Sequence, residues 1–255
     1  MESFDLAAKE YDAQFSHTRI GKVQRSQVWE RINKIDLHEN SSILEINCGT
    51  GEDANVWFSK KHQILATDIS KEMIGVAKNK FPHIQFKQLD INAINTIDTK
   101  FDIVFSNFGG LNCLSKNDLS KFILQTKEKL TKDGKLIMVI MGKKCIWDNL
   151  FLFIKGNWKQ LGRRNTNLPL DINVDGQNVY TWYYSPKQIT NIASEHFNFI
   201  AQSPIGLHIP PSYLSKFFRN KPITVAFLAF LDKVFSFSFL SDFSDHYFIT
   251  FSKKD

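Results

Sequence analysis

A doubly wound α/β domain is predicted by three features of the chain. Short apolar segments alternate with amphipathic ones between residues 41 and 141, the pattern of strands joined by helical crossovers. A glycine-rich turn, Cys48-Gly49-Thr50-Gly51, follows the first apolar segment. Acidic residues, Asp68 and Asp90, close the second and third. In such sheets the ligand lies at the carboxyl ends of the strands, and these three features all fall there. The length of 255 residues suits one such domain with additional cover.

The elements follow in order. Residues 5–35 read as helix, because Leu6, Val28, Trp29, Ile32 and Ile35 recur at near-helical spacing. A polar break over 38–42 leads to a strand over 43–47, the glycine turn and a helix reaching residue 60. A second strand over 63–67 ends at Asp68, and Ser70 caps the next helix, which runs to residue 80. Strands are expected over 84–89 and 101–106. A helix over 117–130 places Leu119, Phe122, Ile123, Thr126 and Leu130 on one face. Asp133-Gly134 reads as a turn before a fifth strand over 135–141.

The remainder is less regular. Residues 146–158 are aromatic and apolar, and 162–178 read as a loop rich in Asn, Gly, Asp and Pro. A strand over 179–184, a helix opened by Pro186 and reaching residue 195, and a strand over 198–202 follow. Residues 208–243 read as a Phe- and Pro-rich insertion before a closing strand over 246–251. The chain therefore divides into an N-terminal helical cap (1–40), a nucleotide-type core (41–141) and the rest of the same domain (142–255). Insertions are placed at about 146–178 and 208–243.

Composition narrows the function classes. The net charge of +6 comes from scattered lysines without a long basic run, so nucleic acid is disfavoured as a partner. Three cysteines, Cys48, Cys113 and Cys145, form no CxxC pair, which excludes a disulfide framework and a structural zinc site and fits a cytoplasmic location. The first twelve residues carry acids and do not resemble a signal peptide. Residues 223–240 are apolar but broken by Asp232 and Lys233. A spanning helix needs roughly 20 apolar residues, so this segment is expected to be buried or interfacial and a peripheral membrane contact stays open.

The site residues are read from chemistry. Gly49 and Gly51 allow a left-handed turn and a close approach of ligand to backbone. A carboxylate at Asp68 can accept from both hydroxyls of a ribose. One at Asp90 can accept from an exocyclic amine such as adenine N6. Taken singly, Asp68 is also a helix cap and Asp90 also a turn residue.

Together these segments resemble the class I S-adenosylmethionine-dependent methyltransferases. Residues 43–51, Thr67-Asp68-Ile69-Ser70, Asp90-Ile91 and Phe101 to Asn107 match that family's motifs in order, with Asn47 where the family has glycine. The resemblance implies a Rossmann-like seven-stranded sheet with its last strand antiparallel, and S-adenosyl-L-methionine as cofactor. It implies that Glu45, Asn47, Gly49 and Gly51 shape the cradle for the methionine end. It places Asp68 and Ile69 at the ribose, Asp90 and Ile91 at adenine, and Ser106 and Asn107 at the cofactor's amino group or the substrate. Tyr11 and Arg25 of the N-terminal helix would close over the cofactor, Arg25 pairing its carboxylate. Asparagine tolerates the left-handed backbone best among residues with a side chain, so the turn is expected to survive at Asn47.

The acceptor is expected to be a hydrophobic small molecule, methylated on O, N or C, because 23 Phe residues crowd the chain and concentrate in the two insertions. His208 is the candidate base, with Tyr183 and Tyr184 as weaker alternatives. The rival readings are an RNA or protein methyltransferase, a non-catalytic cofactor-binding protein, and a nicotinamide-dependent reductase. The last leaves Asp90 and Ser106-Asn107 unexplained. The oligomeric state has no signal in the sequence.

Overall fold

The computed structural model describes residues 5, 8, 10–174 and 177–254. Leu6, counted in the first predicted helix, lies outside the described residues. That helix is not continuous. A π-helical turn, Asp12–Ser16, precedes α1 (Arg19–Ile32). Thr18 separates them: its hydroxyl donates to Phe15 O at 2.8 Å and accepts from Gly21 N at 3.0 Å. Gly21 has no alternative, since a Cβ there would lie 2.1 Å from Phe15 O.

The core then alternates as β1 (Ser42–Ile46), α2 (Glu52–Ser59), β2 (Gln63–Asp68), α3 (Lys71–Lys80), β3 (Gln85–Gln88), β4 (Phe101–Ser106), α4 (Lys116–Lys129) and β5 (Leu130–Met141). Ser70 caps α3 by accepting from Met73 N, as its position predicts. The turn expected at Asp133-Gly134 is absent, because β5 begins at Leu130, with a register irregularity against β4. The remaining elements are α5 (Ile146–Ile154), β6 (Leu170–Val174), β7 (Gln177–Thr181), α6 (Pro186–Ala193), β8 (Phe197–Ile205), α7 (Ser215–Phe218), α8 (Pro222–Val234) and β9 (His246–Lys253). Part of the loop expected over 162–178 is the antiparallel hairpin β6–β7. Its Asn-rich composition conceals the alternation of a short, largely exposed ribbon.

Seven strands form one sheet in the order β3-β2-β1-β4-β5-β9-β8. β9 runs antiparallel to both of its neighbours and the rest are parallel. Both faces are buried, which explains why the strands read as continuous apolar runs. Leu44, Val104, Leu136 and Met138 face Phe122 and Ile123 of α4 and Ile189 of α6. Their alternates Ile43, Ile103, Phe105 and Ile137 face Val28, Trp29 and Ile32 of α1 and Trp57 of α2. With two covered faces, the carboxyl ends of β1, β2 and β4 are the edge left to shape a cleft.

Candidate active site

The turn between β1 and α2 is built from left-handed backbone: Asn47, Gly49 and Gly51 have φ of 58°, 52° and 82°. A Cβ on Gly51 would lie 2.8 Å from the Phe86 ring, so only glycine fits. Asn47 adopts the expected conformation, and its side chain reaches the turn after β4. Its Nδ2 is 3.4 Å from Ser106 Oγ. A Cβ on Gly110 would lie 2.3 Å from the same Nδ2. The asparagine therefore demands glycine at position 110. Gly110→Ala is expected to cost about 1–3 kcal/mol, and Asn47→Gly to recover most of it, measured by denaturant unfolding of the double-mutant cycle. Additive costs would refute the coupling.

Asp68 ends β2 and faces back on the turn. Its Oδ2 accepts from Gly49 N and its Oδ1 from Ser70 N, both at 2.9 Å. Burial raises its carboxyl above the usual range, opposed by those backbone donors. Asp90 is exposed and accepts from Asn92 N at 2.8 Å through Oδ1 alone. Its Oδ2 has no hydrogen bond among the described residues and is left for a ligand.

A third carboxylate, Asp53 at the start of α2, is not among the residues the sequence singles out. It is buried and accepts from Trp29 Nε1 at 2.8 Å, Asn107 Nδ2 at 2.9 Å and Arg25 Nε at 3.2 Å. It thereby ties α1 to the turn after β4. Burial opposes the Arg25 charge most strongly of any one influence, but Asp53, Tyr11 and Glu52 together outweigh it and hold the guanidinium above its usual range. Arg25 also lies over the Phe108 ring at 5.5 Å and the Phe15 ring at 5.9 Å. Its terminal amino groups make no hydrogen bond among the described residues, so they can still meet a carboxylate. Tyr11 stays neutral: burial pushes its phenol up to about 12, against the pull of Arg25.

These groups border a cavity of about 800 Å³. Tyr11, Arg25, Asn47, Gly49, Asp68, Ile69, Asp90, Ile91 and Asn107 all line it, so the structure brings together nine of the residues singled out in the sequence. Glu45, Gly51 and Ser106 sit one layer beneath. Glu45 is 1% exposed, its Oε2 has no partner among the described residues, and burial holds its carboxyl well above the usual range. The Asn107 amide is turned to Asp53 and to Phe108 N.

His208 is not in this cavity. Its Nδ1 lies 3.0 Å from Asp232 Oδ1, and its ring packs beside Phe235. It braces the insertion and has no access to the site. Tyr184 is also excluded, since it donates to Leu114 O at 2.6 Å within the core. Tyr183 does line the cavity. The phenylalanines of residues 208–243 do not line it, so the expected Phe-rich chamber is absent.

The far wall is polar instead. Arg163 binds Asp148 through Nε at 2.9 Å and Nη2 at 2.6 Å, and the Tyr213 hydroxyl donates to the same carboxylate at 2.9 Å. Arg164 Nη1 donates to Asp245 Oδ1 at 3.1 Å, and His246 Nδ1 lies 3.1 Å from Asp245 Oδ2. Burial alone would raise the Asp245 carboxyl, but His246 and Arg164 hold it well below the usual range. The His246 ring packs edge-on against Phe108 at 5.4 Å, which puts it beside the cofactor-side residues. One signal for it was present in the sequence: Asp245-His246 sets a carboxylate and an imidazole side by side at the mouth of an otherwise apolar closing strand.

The site fits S-adenosylmethionine. The positive-φ turn opens the backbone, acids stand at two successive strand ends, and a charged arginine faces the same space. The volume lies within the range of small-molecule sites. Residues 43–134 match the family described as a methyltransferase domain. The matched region is a methyltransferase domain, and it carries the cofactor-side half of the cavity.

The chain is 25% identical over 228 residues to an uncharacterised protein of Methanocaldococcus jannaschii, covering 85% of this chain and 86% of that one. It is 31% identical over 142 residues to the malonyl-[acyl-carrier protein] O-methyltransferase of Buchnera aphidicola, covering 54% and 51%. The chain thus spans about half the length of the malonyl-[acyl-carrier protein] O-methyltransferases it matches. Its fold is that of an S-adenosylmethionine-dependent methyltransferase from Clostridium acetobutylicum (TM-score 0.59, 16% identity, 91% of each chain). It is also that of the N-methyltransferase NodS from Bradyrhizobium japonicum, solved with S-adenosylhomocysteine (TM-score 0.57, 12% identity, 93% and 89%).

Proposed function

We propose that this methyltransferase moves the methyl group of S-adenosylmethionine to a protic small molecule, with His246 as the base. One observation carries the reading: a single cavity joins Asp68, Asp90 and Arg25 to a wall containing His246, Tyr183 and Tyr213. When bound, the cofactor supplies an electrophilic methyl on a sulfonium. Asp68 and Asp90 would hold its ribose and adenine, and Arg25 its carboxylate. Orientation of the two partners is the main contribution such a site makes, and it can be worth several kcal/mol.

The acceptor would enter against Leu114, Met141, Val179 and Trp182, an apolar surface for the body of the molecule. His246 is positioned to take a proton from the acceptor's reacting atom, with the Asp245 carboxylate 3.1 Å from its Nδ1. Relatives of this chain include enzymes named for methylating malonyl-[acyl-carrier protein] and for ubiquinone/menaquinone biosynthesis. Both names describe a metabolic acceptor, the first an acyl group borne on a carrier protein, and neither describes RNA.

Two measurements test the reading. Titration calorimetry is expected to give a micromolar Kd for S-adenosylhomocysteine and no heat with NADH. Labelled methyl from the cofactor is expected to enter the small-molecule fraction of a cell extract. Label appearing only in RNA or protein would replace the acceptor assignment.

A further inference from the structure

The phenylalanines absent from the cavity are on the surface. In α8, Ile223, Phe227, Phe230 and Val234 are exposed by 84, 59, 60 and 49%. Their spacing of four, three and four residues puts them on one helical face. The opposite face carries Val225, which packs with Ile20 and Ile209, and the buried Asp232. A helix this apolar on both faces is normally enclosed, and here one face is open. Phe237 and Phe239, stacked on each other at 5.7 Å, extend the exposed apolar surface beyond the helix.

Within the segment that forms this face the exposed charges have one sign. Between residues 211 and 241 the exposed charged side chains are Lys216, Arg219, Lys221 and Lys233. The only acid in that span, Asp232, is 5% exposed and accepts from Gln27 Nε2 and the backbone of His208 and Ile209. Lys221 Nζ lies 5.8 Å from the Phe218 ring centroid, an aliphatic stem on an aromatic body with its ammonium outward. α5 meets α7 where Trp147 packs edge-on against Phe218, and it repeats the pattern. Phe153, Ile154 and the following Trp158 are exposed, and the exposed charges beside them are Lys155 and Lys159.

We infer that this face docks on an anionic lipid bilayer. Apolar side chains that enter the headgroup boundary, on segments whose own exposed charges are all cationic, match such a surface in both hydrophobicity and charge. A second copy of the chain is a poor occupant, because a two-fold pairing of the face would set its cations against themselves. No helix among the described residues is long and apolar enough to cross a membrane, so the contact is interfacial. The docking stands independently of the methyl-transfer reading. It has a consequence for it, since Pro211, Ser212 and Tyr213 line the cavity and run directly into α7.

The test is co-sedimentation of the full chain with vesicles. Binding to equimolar phosphatidylglycerol and phosphatidylcholine is expected to exceed binding to phosphatidylcholine alone by at least about tenfold, and to fall as salt rises. Phe227→Ser with Phe230→Ser is expected to lower partitioning by about tenfold or more, with the S-adenosylhomocysteine Kd unchanged. Lys216→Glu with Lys221→Glu should remove the preference for anionic vesicles. Absence of vesicle binding, equal binding to both lipids, or full retention by the double Phe variant overturns the proposal. So does a stable dimer by light scattering that the same Phe variant dissociates, which would give the face to a second copy.

Discussion

Asp68→Ala is expected to weaken S-adenosylhomocysteine binding by at least about 100-fold, read by titration calorimetry. Two ribose hydroxyls donating to a carboxylate are each worth roughly 1.5–3 kcal/mol, and a tenfold loss of affinity corresponds to about 1.4 kcal/mol. The same variant also touches the fold. Gly49 N and Ser70 N both donate to this carboxylate. Removing it leaves two backbone donors without their acceptor, at a cost of about 1–3 kcal/mol each where water cannot reach them. Asp68→Asn separates the two effects, because an amide keeps one acceptor oxygen and can still serve Ser70 N. The Asn variant leaves only Gly49 N without an acceptor, so it should lose less stability than the alanine variant while binding poorly.

The pH dependence follows from the raised Asp68 carboxyl. An acid whose folded pKa lies above its unfolded value favours the folded state while protonated. That favour is lost as pH rises from the unfolded value through the folded one. Ligand binding has the opposite sign, since the ribose needs the carboxylate. Wild-type affinity should fall with acidification beginning above the ordinary aspartate range, and Asp68→Ala should be flat over the same interval. Full affinity in Asp68→Ala would remove Asp68 from the ribose and with it the motif reading of the β2 end.

The residues proposed for the cofactor could be picked out because their requirements are local. Gly49, Gly51 and Asp68 are separated by one helix and one strand, and each is dictated by backbone geometry or by the end of a strand. Ser70 is recognisable as a cap for the same reason. The residues proposed for the acceptor could not be, because they converge from segments far apart: Arg164 from the stretch after α5, Tyr213 before α7, His246 at the start of β9. No periodicity links them. His208 misled because it follows β8, as a base well might, yet Asp232 from α8 captures it. The phenylalanines misled in a different way. Their number signals a large apolar surface, but composition does not say whether that surface faces a cavity, the core or the outside. Asp53 could have been suspected as an acid in the first turn of α2, where a helix dipole favours it. Its three donors come from α1 and the turn after β4, which only the tertiary structure joins.

His246→Ala is expected to lower kcat by about 10²–10⁴-fold, the usual contribution of a positioned acid or base. KM for the acceptor and the Kd for S-adenosylhomocysteine should change little, because His246 lies on the far wall and touches none of the groups assigned to the cofactor. His246→Gln keeps the volume against Phe108 and should be as slow as the alanine variant, which distinguishes lost proton transfer from lost packing. Asp245→Asn should also be slow, for a different reason. Asp245 is 3% exposed and holds both His246 and the buried Arg164. Its neutralisation leaves Arg164 short of its nearest partner, with Asp148 Oδ2 3.7 Å away, and breaking a buried pair in this way costs about 3–5 kcal/mol. Because the folded carboxyl is held low, the stability it confers is present above the unfolded aspartate value and is lost as pH falls through and below it. Wild type should thus lose thermal stability steeply on acidification, whereas Asp245→Asn should start lower and lose less. An unchanged kcat in His246→Ala would leave acceptor deprotonation to solvent or to the acceptor's own acidity. The far wall would then serve only to shape the cavity.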